Sequence, residues 1–154
     1  MFKPKGYFLA GGVGLSTVSP LNAFDNALKD AGIADYNLIP VSSIIPEEAV
    51  EVEPRSLEKG SMVFVVISIS QGVSGDRVLA GIGWTKPENS IGIIMEYHGK
   101  NDTDVEGARE RLREMLREAM GVRGLPMEEP KYHLEMLEIP PEHFGCAVAC
   151  LVFI

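Results

Sequence analysis

The chain has 154 residues, 45% of them hydrophobic, enough for one domain with a real core and too apolar for a disordered segment. Its formal charge is −8 and its pI is near 4.9. That balance argues against a nucleic-acid binder, which needs a basic face, and is compatible with a small cationic substrate. The two cysteines and three histidines (Cys146, Cys150, His98, His133, His143) have no zinc-ligand spacing, so no metal site is expected.

The opening residues Met1 to Gly6 carry positive charge, but the apolar run behind them is short and broken by glycines. Neither a signal peptide nor a membrane span is read there, and a cytoplasmic location is the expectation. Tyr7 to Val13 predicts a first strand. Gly11-Gly12-Val13-Gly14 lacks the Lys-Ser/Thr of a phosphate loop and reads as a flexible turn. Ser19 is a good N-cap with Pro20 at the first helical position. Phe24, Ala27, Leu28 and Ala31 recur at helical spacing up to a stop at Gly32. Asp25 falls in the opening turn and a half of this helix, next to the apolar Phe24. On its own it reads as a solvated carboxylate near the positive helix start.

Residues 36–42 predict a strand that runs into the pair Ser42-Ser43, with Ile44, Ile45 and Pro46 behind it. A buried hydroxyl without a partner costs about 1–3 kcal/mol, so two side by side need an account. One is a strand end turning into a loop, with both hydroxyls bonded to nearby backbone. The other is a self-processing site at which one serine attacks the preceding peptide bond. Glu47 to Gly60, rich in Glu and Pro, reads as an exposed loop. Met62 to Ile69 is an apolar run expected to be covered on both faces, followed by a turn marked by Ser68, Ser70, Gln71, Gly72, Ser74 and Gly75. Arg77 to Trp84 and Ser90 to Tyr97 predict strands joined by a turn, and Glu96 stands at the end of the second. Asp102-Thr103 is expected to cap a second helix, with Thr103 and Glu106 spaced as a capping box. Its arginines are interleaved with glutamates, as on a solvated face. Tyr132 to Glu138 and His143 to Ile154 predict the last strands, with Cys146 and Cys150 as small buried residues. Many strands with two well-separated helices point to an α+β layered fold with a largely antiparallel sheet core.

Four stretches also carry a resemblance: Pro20 to Leu28, Asn37 to Pro46, Gly92 to Lys100, and Phe144-Gly145-Cys146-Ala147. In this order and spacing the chain resembles the pyruvoyl-dependent arginine decarboxylases, over nearly its whole length. The resemblance implies an αββα sandwich assembled as a trimer with sites between protomers. It implies a single domain, 1–154, that Ser43 cleaves by attacking the Ser42 carbonyl. The products are a β chain, 1–42, and an α chain, 43–154, beginning at a pyruvoyl cofactor derived from Ser43. Decarboxylation leaves a carbanion that needs an electron sink, which a keto group made from the chain itself supplies. Asn37 matches the residue implicated in processing and is expected to hold the oxyanion. Glu96 matches the proton donor, and its apolar neighbours Ile93, Ile94 and Met95 are of the kind that raise a carboxyl pKa. Asp25 matches the residue that pairs with the arginine guanidinium by parallel charge-assisted bonds. The product would be agmatine, for polyamine biosynthesis. The chain departs from some relatives at Asn26, Tyr36, Pro40 and His98. Two alternatives stay open: the same machinery acting on another basic amino acid, and an uncleaved homologue serving as a binding subunit.

Overall fold

The computed structural model describes residues 1–154. Two sheets lie face to face. The first holds β1 (Gly6–Ser16), β2 (Asn37–Pro40), β4 (Val50–Glu51), β5 (Met62–Val73) and β9 (Phe144–Phe153), in the order β2-β5-β9-β1-β4. The second holds β3 (Ile44–Ile45), β6 (Arg77–Thr85), β7 (Gly92–Lys100) and β8 (Lys131–Glu138), in the order β3-β7-β6-β8. Pairing is antiparallel except for β1 with β4 and β2 with β5. Helix α1 (Pro20–Asp30) covers β1 and β9 from outside, and α2 (Val105–Gly121) covers β6 and β7. The layers therefore run α1, five-stranded sheet, four-stranded sheet, α2, which is the expected αββα sandwich.

Side-chain alternation along the strands explains why β9 is apolar throughout. Ala147, Ala149, Leu151 and Phe153 face the four-stranded sheet, packing with Val66, Ile82, Trp84 and Ile94. Cys146, Val148, Cys150 and Val152 face α1, packing with Ala23, Ala27 and Phe8. A strand with two covered faces has no polar alternation to show. Each fully buried Leu, Ile or Val contributes about 1.5–3 kcal/mol of transfer free energy. A third cluster joins Ile93 of β7 to Leu116, Ala119 and Met120 of α2.

The first helix starts as the sequence predicts. Ser19 is extended and its Oγ accepts from the Asn22 N–H at 3.0 Å, while Gly32, just past the helix, has φ +77°. Three expectations are corrected. Gly11 to Gly14 is no turn, because β1 continues unbroken to Ser16. The glycines are required by what lies against them. A Cβ on Gly12 would stand 2.6 Å from the Ala31 nitrogen and 2.7 Å from the Ala27 oxygen, and one on Gly14 would run into the α1 backbone at Ala23 and Ala27. Ser68 to Gly72 is likewise strand, since β5 runs to Val73 and turns only at Ser74-Gly75. The Ser68 and Ser70 hydroxyls donate to the Tyr97 and Gly99 carbonyls of β7, the latter at 2.8 Å, stitching the two sheets together where β5 meets β7. Finally, the N-cap of α2 is Asp104, whose Oδ1 accepts from the Gly107 N–H at 2.7 Å, rather than Asp102-Thr103. Thr103 instead pairs with the Tyr97 hydroxyl at 3.1 Å.

No helix is long and apolar enough to cross a membrane.

Candidate active site

The chain changes sheet between β2 and β3, and Ser42-Ser43 lies on that crossing. Upstream, β2 is an edge strand held only by β5, so Pro40, which lacks a donor, sits where sheets tolerate it. The Val41 N–H still donates to Val65 at 2.9 Å. Downstream, Ile44 pairs with Ile93 and Ile45 with Gly92. Two backbone bonds fix the crossing. The Ile94 N–H donates to the Ser43 carbonyl at 2.9 Å, and the Ile44 N–H donates to the Ser42 carbonyl at 3.2 Å. Ser43 is half-buried and Ser42 exposed. Neither has a positive φ, so the peptide is oriented rather than strained in that sense.

Glu96 stands two residues beyond Ile94 on β7, on the same face, about 7 Å further along the strand. Ile94, Glu96 and His98 share that face because each pairs across β6 with an inward residue: Trp84, Ile82 and Ala80. Met95 lies on the other face, against α2. Partial burial pushes the Glu96 carboxyl above its ordinary range, and the charge of His98 pulls it back. Glu96 keeps part of its surface in solvent, and the burial of the rest raises it in the direction expected from an apolar setting, with Ile82 as its neighbour on β6.

Asp25 and Asn37 lie elsewhere. Asp25 lines an open cleft of about 380 Å³ outside the five-stranded sheet, with Lys29, Asp35, Tyr36, Leu57 and Lys59. Asp35 there is tied to Lys59 at 2.7 Å, and the Tyr36 hydroxyl accepts from the Leu57 N–H at 2.8 Å. The Asp25 carboxylate makes no hydrogen bond or ion pair within the chain. Asn37 opens β2, and its Nδ2 donates to the Gly60 carbonyl at 2.8 Å. From Asn37 to Val41 the extended strand spans about 13 Å, at about 3.3 Å per residue, before the chain reaches Ser43. One chain thus brings Ser43 and Glu96 together on one strand register, and holds Asp25 and Asn37 near the opposite end of β2. Asn26, one of the departures noted above, is structural: its Nδ2 donates to the Leu15 carbonyl at 2.9 Å.

No thiol competes as a nucleophile. Burial pushes Cys146 up to about 11 and Cys150 up to about 12, leaving both protonated near neutrality. The groups that residue-type reasoning missed are the Ile44 and Ile94 N–H donors. Nothing in a sequence marks them, since every non-proline residue has one.

The family model described as pyruvoyl-dependent arginine decarboxylase matches residues 6–154. Among curated relatives, a pyruvoyl-dependent arginine decarboxylase of Methanothermobacter thermautotrophicus is 39% identical over 136 residues, 87% of each chain. One of Methanocaldococcus jannaschii is 37% identical over 134 residues, covering 85% of this chain and 79% of its own. One of Methanococcus aeolicus is 34% identical over 154 residues, covering 96% and 88%.

Proposed function

This chain belongs to the pyruvoyl-dependent arginine decarboxylase family, and from that premise we propose that it cuts itself between Ser42 and Ser43 and then converts L-arginine to agmatine and carbon dioxide, for polyamine biosynthesis in the cytoplasm. The observation that carries this reading is the bond from the Ile94 N–H to the Ser43 carbonyl. It ties the serine that would be transformed to the strand that bears Glu96, with Glu96 on the same face.

The residues present suit a pyruvoyl group at this point. The carbonyl of residue 43 is anchored on β7, the carbonyl before it is already hydrogen-bonded, and a protonatable carboxyl follows on the same face. Bound in the chain, that group supplies the electron sink for the carbanion left when carbon dioxide departs. The protein's own residues do the rest. Glu96, whose carboxyl partial burial pushes above its ordinary range, is the group that delivers a proton to the substrate Cα. Asp25, unpaired in its cleft, accepts two parallel bonds from the guanidinium. Asn37 assists processing.

Asp25 and Asn37 reach these steps from a second copy of the chain, in a trimer with sites between protomers. Their separation from Ser43 along β2 supports this arrangement, as does the free state of the Asp25 carboxylate in the single chain.

An intact-mass spectrum of purified protein tests the reading. Two fragments split between Ser42 and Ser43 are expected, with the larger blocked to Edman degradation by a keto terminus. Ser43→Ala should remain one chain and release no carbon dioxide from arginine. An active wild-type enzyme that stays intact would sink the proposal.

A further inference from the structure

The Ser42 carbonyl is the group that self-processing must turn into a tetrahedral oxyanion, and the structure already aims a donor at it. The Ile44 N–H lies 3.2 Å from that oxygen. Resting on the functional reading above, we infer that the Ile44 backbone N–H is the oxyanion donor of self-cleavage, and that β7 positions it through Ile94.

The geometry follows from one peptide unit. The C=O of Ser43 and the N–H of Ile44 belong to the same planar group and point in opposite directions. The Ile94 N–H holds that C=O at 2.9 Å, so the N–H on the other side is directed back along the chain at the Ser42 oxygen. Such a bond from residue i to i+2 is a γ-turn, and γ-turns are common at strand ends. Here it is centred on the attacking serine. Asn37, the donor that the resemblance implies, is engaged in its own chain with Gly60 at 2.8 Å and opens β2 upstream.

The step balances without an outside reactant. The Ser43 Oγ bonds to the Ser42 carbonyl carbon, and its proton passes to the Ser43 nitrogen. The carbon–nitrogen bond then breaks, leaving an ester on Oγ and a free amine on Ser43. Between those events the former carbonyl oxygen is negative. An N–H at 3.2 Å can tighten toward the 2.7–3.1 Å typical of oxyanion donors as that charge develops.

The test removes the N–H and leaves the side chain. Ile44 is replaced in the full chain by its α-hydroxy analogue, so that an ester stands in for the 43–44 amide. A second protein carries the same change at Val41, whose N–H binds Val65 at 2.9 Å and not the scissile carbonyl. Cleavage at 42–43 is followed by intact mass. Loss of one oxyanion donor slows reaction by about 10²–10³-fold, and that slowing is expected for the Ile44 ester alone. Ile44→Ala, which keeps the N–H, should cleave within a few-fold of wild type. An Ile44 ester that cleaves at the wild-type rate, or one slowed no more than the Val41 ester, overturns the inference while leaving the functional reading intact. A wild-type chain that is never cut overturns that reading itself.

Discussion

Glu96 sits directly across the β6–β7 ladder from Ile82, a residue with 0% of its surface exposed. A carboxylate placed against such a neighbour loses water on one side, which favours the neutral acid. A proton donor works only while protonated. Turnover should therefore hold at low pH and fall as pH rises through the raised Glu96 pKa. Glu96→Gln should still be cleaved at Ser42-Ser43 and lose about 10²–10⁴-fold in kcat, the usual contribution of general acid catalysis. Normal turnover by a cleaved Glu96→Gln protein would remove this residue from the mechanism.

His98 opposes that shift. Replacing it with Gln removes a positive charge that favours the Glu96 carboxylate, so the Glu96 pKa should rise further. The high-pH limb of the kcat profile should move upward, while KM for arginine stays the same. A limb that stays in place, or moves down, would show that His98 does not act on Glu96.

Arginine should be preferred over lysine and ornithine, because a planar guanidinium meets a carboxylate in two bonds and an ammonium does not. Asp25→Asn should raise KM for arginine and flatten that preference without affecting cleavage. Sharing of the site between chains has its own test. Co-expressed Ser43→Ala and Asp25→Ala chains should regain a fraction of wild-type activity, since some mixed sites then combine an intact Ser43 with an intact Asp25. No recovery in verified mixed oligomers would place all the machinery in one chain.

Gly14 lies against the α1 backbone at Ala23 and Ala27. Backbone cannot swing aside as a side chain does, so Gly14→Ala should lower stability by roughly 1–3 kcal/mol, seen as a fall of several degrees in Tm. Gly75, with φ +85° and open space around it, is a useful contrast. Alanine there meets no neighbour, and any loss would come from the turn conformation alone.

These two glycines show what residue type conveys and what it leaves out. Ser19-Pro20, the apolar stripe of α1 and the nearly continuous apolar run Met62 to Ile69 are local signals, and the elements they predict are present. The Gly11–Gly14 run and the Ser68–Ser70 hydroxyls look like turn chemistry, because their true partners, an α1 backbone and the carbonyls of β7, come from distant parts of the chain. The same limit applies at the site. Ser43 and Glu96 can be picked out by pattern, but the distance along β2 that separates Asn37 and Asp25 from them is a property of the fold, and so is the orientation of the Ile44 N–H.

Asp76 offers a stability test at acid pH. Its carboxyl is held below the usual range, first by the Val73 N–H at 3.0 Å, then by the Asn101 amide at 3.1 Å and by Lys100. A depressed carboxyl pKa adds stability above the unfolded value, which is lost as pH falls through the folded one. Asp76→Asn should lower Tm at neutral pH, and the gap to wild type should close on acidification. A gap that is constant with pH would mean that the charge contributes nothing.

A break between Ser42 and Ser43 would leave the smaller piece unable to depart. It carries β1, which is zipped to β9 from Tyr7–Phe153 to Ser16–Phe144 and flanked on its other side by β4, and both of those partners belong to the larger piece. The new ends, in contrast, fall beside two short edge strands, β2 with one neighbour and β3 with two paired residues. Such a chain can be severed after folding and still behave as one body: the cut frees two termini to shift locally while the sheet keeps custody of both fragments. Refolding from separated fragments would be a different problem, because the piece holding β1 would have to insert between strands already set in place.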